Sequence, residues 1–211
     1  VDLIGAVRAA LYEEAALPAG ALAGLEPLLQ ACEHEDLLDL QAAYCELFDG
    51  SRAFSLHLFE HVHGESRERG QAMIDLGQQY AEHGFMMAAS ELPDFLPLFL
   101  EFLSCLPPEE AREWLGQPAH ILTALGERLT GRESPYAAVF RALVALPEAE
   151  PDPEAVAELR ARIRAIEETP LDEEWEEAPV DFRAPVQDGS GDGIVARIRT
   201  IHRSVTSAIK R

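Results

Sequence analysis

The apolar positions of the chain recur at intervals of three and four, and no stretch alternates with period two for long enough to make a strand, so the pattern predicts helices throughout. The densest segment is Phe95-Leu96-Pro97-Leu98-Phe99-Leu100-Glu101-Phe102. On a helix of about 3.6 residues per turn, Phe95, Phe99 and Phe102 share one face and Leu96, Leu100 and Leu103 the neighbouring one. Asp94, Glu101 and Ser104 fall on the strip that remains. A helix this apolar is a core element. Its polar strip is expected to face water or a basic partner, because an unpaired buried carboxylate costs several kcal/mol.

The other elements follow from the same period. Leu3, Ile4, Val7, Ala10 and Leu11 predict a helix from Asp2 to Ala16, ended by Pro18-Ala19-Gly20. Leu22 to Phe48 reads as one or two amphipathic helices closed by Asp49-Gly50. A helix opening at Ser51-Arg52 clusters Phe54, Leu58, Phe59 and Val62 and ends at Gly64. The next runs from Glu65 to His83, burying Met73, Leu76 and Tyr80, with Gly84 as its stop. Pro107-Pro108-Glu109-Glu110 places prolines and acids where a first turn favours them; Pro118 bends or splits the helical segment that this turn opens, and Gly131 closes it. Ser134-Pro135 and Asp152-Pro153 open two more helices, the last ending near Glu168. The prediction is an all-α, single compact helical domain over residues 1–168.

Beyond it the composition changes twice. Glu167 to Glu177 holds seven acids and no base, which predicts a solvated, disordered segment, and Pro/Gly/Asp/Ser-rich sequence continues the linker to Gly193. In the last eighteen residues, 194–211, Ile194, Val195, Ile198, Ile201, Val205 and Ile209 share one helical stripe among Arg197, Arg199, Arg203, Lys210 and Arg211. This predicts a basic amphipathic helix. The whole chain carries −21; residues 183–211 carry +4 and the rest −25, so body and tail should attract each other.

That charge makes nucleic acid and anionic membrane surfaces poor partners for the body and a basic peptide a good one. Cys32, Cys45 and Cys105 form no CxxC pair and leave an odd thiol, which points to a reducing, cytoplasmic compartment. Cys45 and Cys105 sit at core spacings and are expected to be apolar fillers. No apolar run is long enough to cross a bilayer, and the first residues do not resemble a secretory signal.

His57 and His61 lie at i, i+4 with Glu60 between them and His63 beyond, a cluster that leaves open a helical metal-binding or small-molecule enzyme. It lacks the HExxH arrangement and a second ligand group, and solvated or hydrogen-bonding histidines are the competing reading, so no metal is expected. Asp94 and Glu101 are the one carboxylate pair whose setting invites acid–base chemistry, against a plain helix-terminal acid and a surface acid. No phosphate-binding loop or Ser/His/Asp signature is present. The sequence does not read as an enzyme.

The run Leu58-Phe59-Glu60-His61-Val62-His63-Gly64-Glu65-Ser66-Arg67-Glu68-Arg69-Gly70-Gln71-Ala72-Met73, followed by Glu91-Leu92-Pro93-Asp94, resembles the nitrate reductase molybdenum cofactor assembly chaperones, the NarJ or delta-subunit family. These belong with the TorD-like redox enzyme maturation chaperones. Leu47-Phe48-Asp49 and Trp175-Glu176-Glu177-Ala178-Pro179-Val180 also resemble the family. The resemblance implies a TorD-like, all-helical cytoplasmic chaperone. It would bind the N-terminal segment of the apo catalytic (alpha) subunit of a membrane-bound nitrate reductase. It would hold that client for insertion of molybdo-bis(pyranopterin guanine dinucleotide), keep no cofactor itself, and delay membrane docking.

Related chaperones carry peptide recognition at a Glu-x-Pro-Asp-His turn; here Pro93 and Asp94 match, and Phe95 stands where His is usual. On that resemblance, Asp94, Glu101 and Glu60 are expected to accept from basic peptide side chains. Phe59, Leu92 and Phe95 are expected to give apolar contacts, and Pro93 the rigid turn. The basic tail, 194–211, lies outside the resemblance and is a candidate ligand for the chaperone's own peptide site.

Overall fold

The computed structural model describes residues 2–14, 16–50, 52–64, 66–87, 91–147 and 150–168. The acidic linker at 169–193 and the basic tail at 194–211 lie outside the described residues. Among those described, the three-and-four periodicity yields α1 (Asp2–Glu14), α2 (Ala19–His34), α3 (Leu37–Phe48), a 3-10 turn (Arg52–Phe54), α4 (Leu58–His63) and α5 (Arg67–Glu82). These are followed by α6 (Leu96–Ser104), α7 (Pro108–Gly116), α8 (Ala119–Gly131), α9 (Ala137–Ala145) and α10 (Pro153–Glu168). No strand occurs among them. The fold is all-α.

Local chemistry sets the boundaries. Asp36 caps α3 by accepting from the Leu38 amide at 2.9 Å, and Asp152 does the same for α10 through the Glu154 amide at 3.0 Å. Pro118 separates α7 from α8, and the two prolines at 107 and 108 open α7, as expected from a residue that fits a first turn and breaks an interior one.

One apolar core joins α3 to α10. It is built from Phe48 of α3, Phe54 of the 3-10 turn, Leu58 of α4 and Tyr80 of α5, closed over by Phe99 and Phe102 of α6, Leu122, Leu125 and Leu129 of α8, Phe140 of α9, and Leu159 and Ile163 of α10. α8 packs on α9 and on α10. At Gly126 the α8 backbone comes so close to α9 that an added methyl would lie 3.1 Å from the Phe140 Cβ. A smaller cluster of Leu25, Leu29, Ala138 and Ala142 seats α2 on α9, and Ile4 and Leu11 of α1 cover it.

Two expectations are corrected. The helix predicted from Ser51 to Gly64 is broken: after the 3-10 turn, His57 adopts extended geometry (φ −87, ψ 106) and forms an isolated antiparallel bridge with Phe95, so α4 starts only at Leu58. Pairing with the 92–96 turn outweighs local helical period there. Cys45 and Cys105 are exposed rather than core fillers, because Cys45 is on the solvent side of α3 and Cys105 is the residue capping α6.

α4 ends at Gly64, whose φ of 55 and ψ of −127 match the first central position of a type II′ turn. A Cβ at that position would lie 2.7 Å from the Arg162 guanidinium. Gly64→Ala is therefore expected to cost about 1–3 kcal/mol through backbone strain and displacement of Arg162; comparison of thermal or urea unfolding with that of Gly70→Ala, where nothing lies within 4 Å, measures it.

Candidate functional site

The motif residues converge where α4 meets the turn that precedes α6. Two backbone hydrogen bonds join them, Leu58 N to Asp94 O at 3.0 Å and Leu96 N to Leu56 O at 2.8 Å. Asp94 then uses its side chain on the same partner: Oδ2 accepts from the Phe59 amide at 3.1 Å, and Oδ1 lies 3.3 Å from His57 Nδ1. Asp94 is 0 % exposed. The expectation that it lies on a solvent-facing strip of α6 is corrected. Because α6 begins at Leu96, Asp94 belongs to the preceding turn, and its carboxyl is spent on the N-terminus of α4. Tyr80 donates to the Pro93 carbonyl at 2.7 Å and fixes the turn from below; burial, and then Asp94, push that phenol's pKa up.

α4 is held at its other end by α10. Arg162 Nη1 donates to the Val62 carbonyl at 2.7 Å, one of the orphan acceptors of the helix C-terminus. Within α4, half-buried Glu60 accepts from Arg52 Nε at 2.9 Å and from the Ser55 hydroxyl. Burial alone would raise the Glu60 pKa, but these two donors hold it below the usual carboxylate range.

The three histidines do not gather. His61 is buried, and its Nε2 lies 2.8 Å from the Ser55 carbonyl, which fixes that nitrogen as the donor and leaves Nδ1 buried without a partner. His57 faces Asp94, and its ring lies against Phe95 with centroids 5.3 Å apart; His63 meets the Phe59 ring edge-on at 5.7 Å and lies 3.9 Å from Glu68. Among the described residues no three metal-ligating side chains form a group that could hold an ion.

Of the residues expected from the sequence, Phe59, Glu60, Pro93, Asp94 and Phe95 are brought together, whereas Glu101 is an exposed residue farther along α6. Leu92 stands out at 44 % exposure. The structure adds neighbours that sequence reasoning missed. A methyl built on Gly77 of α5 would touch Met87 Cε at 3.7 Å and Pro93 Cγ at 3.8 Å, so these two side chains meet α5 at that glycine. Ile74, three residues earlier and 64 % exposed, continues the same side of α5, and Met86 is 94 % exposed. Ile74, Met86, Met87 and Leu92 are thus all exposed apolar side chains, of which Met87 meets α5 at Gly77. The only sequence signal was Met86-Met87, an apolar pair outside any helical period.

The described residues form an all-helical body on which Ile74, Met86, Met87 and Leu92 are exposed. The chain belongs to the nitrate reductase delta subunit family, whose model matches residues 14–142. It is 52% identical over 162 residues to the nitrate reductase molybdenum cofactor assembly chaperone NarJ of Escherichia coli K12, covering 76% of this chain and 67% of that one. It is 48% identical over 147 residues to the probable nitrate reductase molybdenum cofactor assembly chaperone NarW of the same organism, covering 69% and 64%. A probable NarJ chaperone of Bacillus subtilis 168 is 33% identical over 102 residues, 48% of this chain and 55% of that one. The chain thus spans about two thirds of the length of its Escherichia coli relatives.

Asp94→Ala would strip the Phe59 amide and His57 of a buried acceptor, at an expected cost of about 1–3 kcal/mol in urea unfolding, with Asp94→Asn losing less. Two histidines set opposite pH trends. Burial holds His61 below its ordinary 6.5, outweighing the pull of the Ser55 carbonyl, so its contribution is full above that value and is lost as pH falls. His83 is raised, first by the Gln79 carbonyl and also by Glu110, so its contribution is full below 6.5 and is lost as pH rises through its folded-state pKa. Melting curves of wild type and His83→Gln are expected to differ most near about pH 5.5 and to converge by about pH 8.5.

Proposed function

We propose that this protein is a dedicated assembly chaperone for a membrane-bound respiratory nitrate reductase, and not an enzyme. It works in the cytoplasm on the apo catalytic (alpha) subunit, binding that subunit's N-terminal segment while the molybdenum cofactor is still absent. Molybdo-bis(pyranopterin guanine dinucleotide) is cargo for the client; the chaperone assists its insertion, holds none stably, and delays docking of the client on its membrane anchor. The observation that carries this reading is the 52% identity to the Escherichia coli NarJ chaperone over a span that includes the whole α4 to α6 assembly.

The surface beside the 92–95 turn supports the binding step. Exposed Leu92, Met87 and Ile74 offer adaptable apolar contacts, with half-buried Phe59 and Phe95 as further ones, and exposed Glu101, farther along α6, supplies an acceptor for a basic side chain at a distance from the turn. Pro93 and Asp94 act mainly by fixing the turn, and Glu60 by holding Arg52 and Ser55 against α4. The long-range field of a chain at −21 steers a cationic segment toward this face. The basic stretch at 194–211 is a second ligand of the same surface, supplied in cis.

Loss of the gene should leave the nitrate reductase catalytic subunit without molybdenum; normal loading in its absence would exclude the role. Leu92→Asp and Glu101→Lys should each weaken binding of the client's N-terminal peptide, by about tenfold in titration calorimetry, while shifting stability by no more than about 0.5 kcal/mol. Deleting 194–211 should tighten peptide binding, and an unchanged affinity removes self-occupancy.

A further inference from the structure

The three methionines of the chain differ in what surrounds them. Met73 is half-buried on α5, Met86 is 94 % exposed and Met87 is 37 % exposed. After α5 the chain reverses at Gly84 (φ 83). The Phe85 amide donates to the Tyr80 carbonyl at 2.9 Å, and the Phe85 ring meets Phe102 edge-on with centroids 5.6 Å apart. Phe85 thus pins the segment to the core, and Met87 adds a second anchor through its Cε, which shares Gly77 with Pro93 Cγ. Gly77 precedes the end of α5 at Glu82 by five residues, about 7.5 Å, so the Met87 side chain reaches back over more than one helical turn. Met86, between the two anchors, stands in solvent.

A thioether reacts with two-electron oxidants without first losing a proton, so access to the sulfur controls its rate. Among the described residues the other exposed sulfurs are the thiols of Cys45 and Cys105, which react as thiolates. A hydrogen bond with Asp49 raises the Cys45 pKa and keeps that group as the thiol. When a methionine sulfur lone pair attacks one oxygen of hydrogen peroxide, an S–O bond forms and the O–O bond breaks. Sulfur loses two electrons and the peroxide gains them; the departing hydroxide takes the proton of the transferred hydroxyl, leaving sulfoxide and water. At Met86 the new dipole is solvated and disturbs nothing. At Met87 it sits on the atom bonded to Cε, against Gly77 and the Pro93 ring, where neither neighbour offers it a donor.

We propose that Met87 is a redox-modification site: a peroxide-class oxidant converts its thioether to the sulfoxide, and the side chain then leaves Gly77 and Pro93 for water. Met86 is oxidised alongside it without structural effect. The change is reversible, because methionine sulfoxide reductases restore the thioether. Pro93 loses an apolar neighbour, and affinity for the client segment falls; that consequence alone rests on the client-binding reading.

The test treats the full-length protein with graded hydrogen peroxide and then with dithiothreitol, which returns sulfenic acids and disulfides to thiols and leaves sulfoxides in place. Peptide mass spectrometry should find Met86 and Met87 oxidised at least about fivefold faster than Met73. At a dose that spares Met73, the wild type should melt about 3 °C lower, and methionine sulfoxide reductase should reverse the shift. Met87→Leu, treated alike and still oxidised at Met86, should keep its melting temperature. Affinity for the client's N-terminal peptide should fall about fivefold in the oxidised wild type and hold in Met87→Leu. An unchanged melting temperature with Met87 fully oxidised overturns the proposal, as does an equal drop in Met87→Leu or oxidation of Met73 ahead of Met87. A Met87-dependent drop in a protein that binds no client peptide even before oxidation upholds the modification site and refutes the client-binding reading instead.

Discussion

The motif region depends on a helix that could not exist alone. α4 has six residues, far below the roughly 12–15 needed for even marginal stability in isolation, so its geometry is imposed by what grips its ends. Asp94 meets the amides of its first turn, and Arg162 meets a carbonyl of its last. A negative group at the N-terminus and a positive one at the C-terminus both oppose the helix dipole. The two clamps come from positions about thirty-five residues later and one hundred residues later in the chain, so α4 reports the correct docking of both α6 and α10.

That clamp explains why polar residues in the Leu-Phe-Glu-His-Val-His-Gly run are so heavily committed. Glu60 is bound by Arg52 and Ser55, and His61 by the Ser55 carbonyl; Gly64 is the residue type that fits the exit turn beside Arg162. In this chain the polar residues of that run serve the architecture of α4. The apolar side chains around the turn are less committed: Leu92 is exposed, and Met87 and Pro93 lie against Gly77 of α5. Methionine and leucine have no β-branched stiffness and no fixed hydrogen-bond demands, so their exposed side chains can adapt in shape.

Much of the fold was legible because helical periodicity and capping are local. Asp36, Pro108, Pro118, Gly131 and Asp152 mark helix boundaries through their own chemistry, and Phe99, Phe102, Leu103 and Leu122 sit in the core that their spacing implied. The site was legible only in part. The turn at 91–94 was found through its resemblance to a family, and Leu92 on it is exposed. Asp94, taken for an exposed acceptor, is wholly buried, because a carboxylate at a turn looks the same in sequence whether its partner is water or a helix terminus that lies thirty-five residues away.

The sequence by itself determined that the chain is all-helical, strongly acidic and a member of a delta-subunit family, since propensity, net charge and a long matching run need no knowledge of distance. Only the tertiary structure decided that His57, His61 and His63 face three different partners, that Cys45 and Cys105 meet solvent, and that Met87 and Pro93 meet α5 at Gly77. The reason is geometric. Whether a polar side chain is a ligand, a clamp or a solvated group depends on which atoms packing brings within about 3 Å of it, and helix docking, not the order of residues, sets that distance.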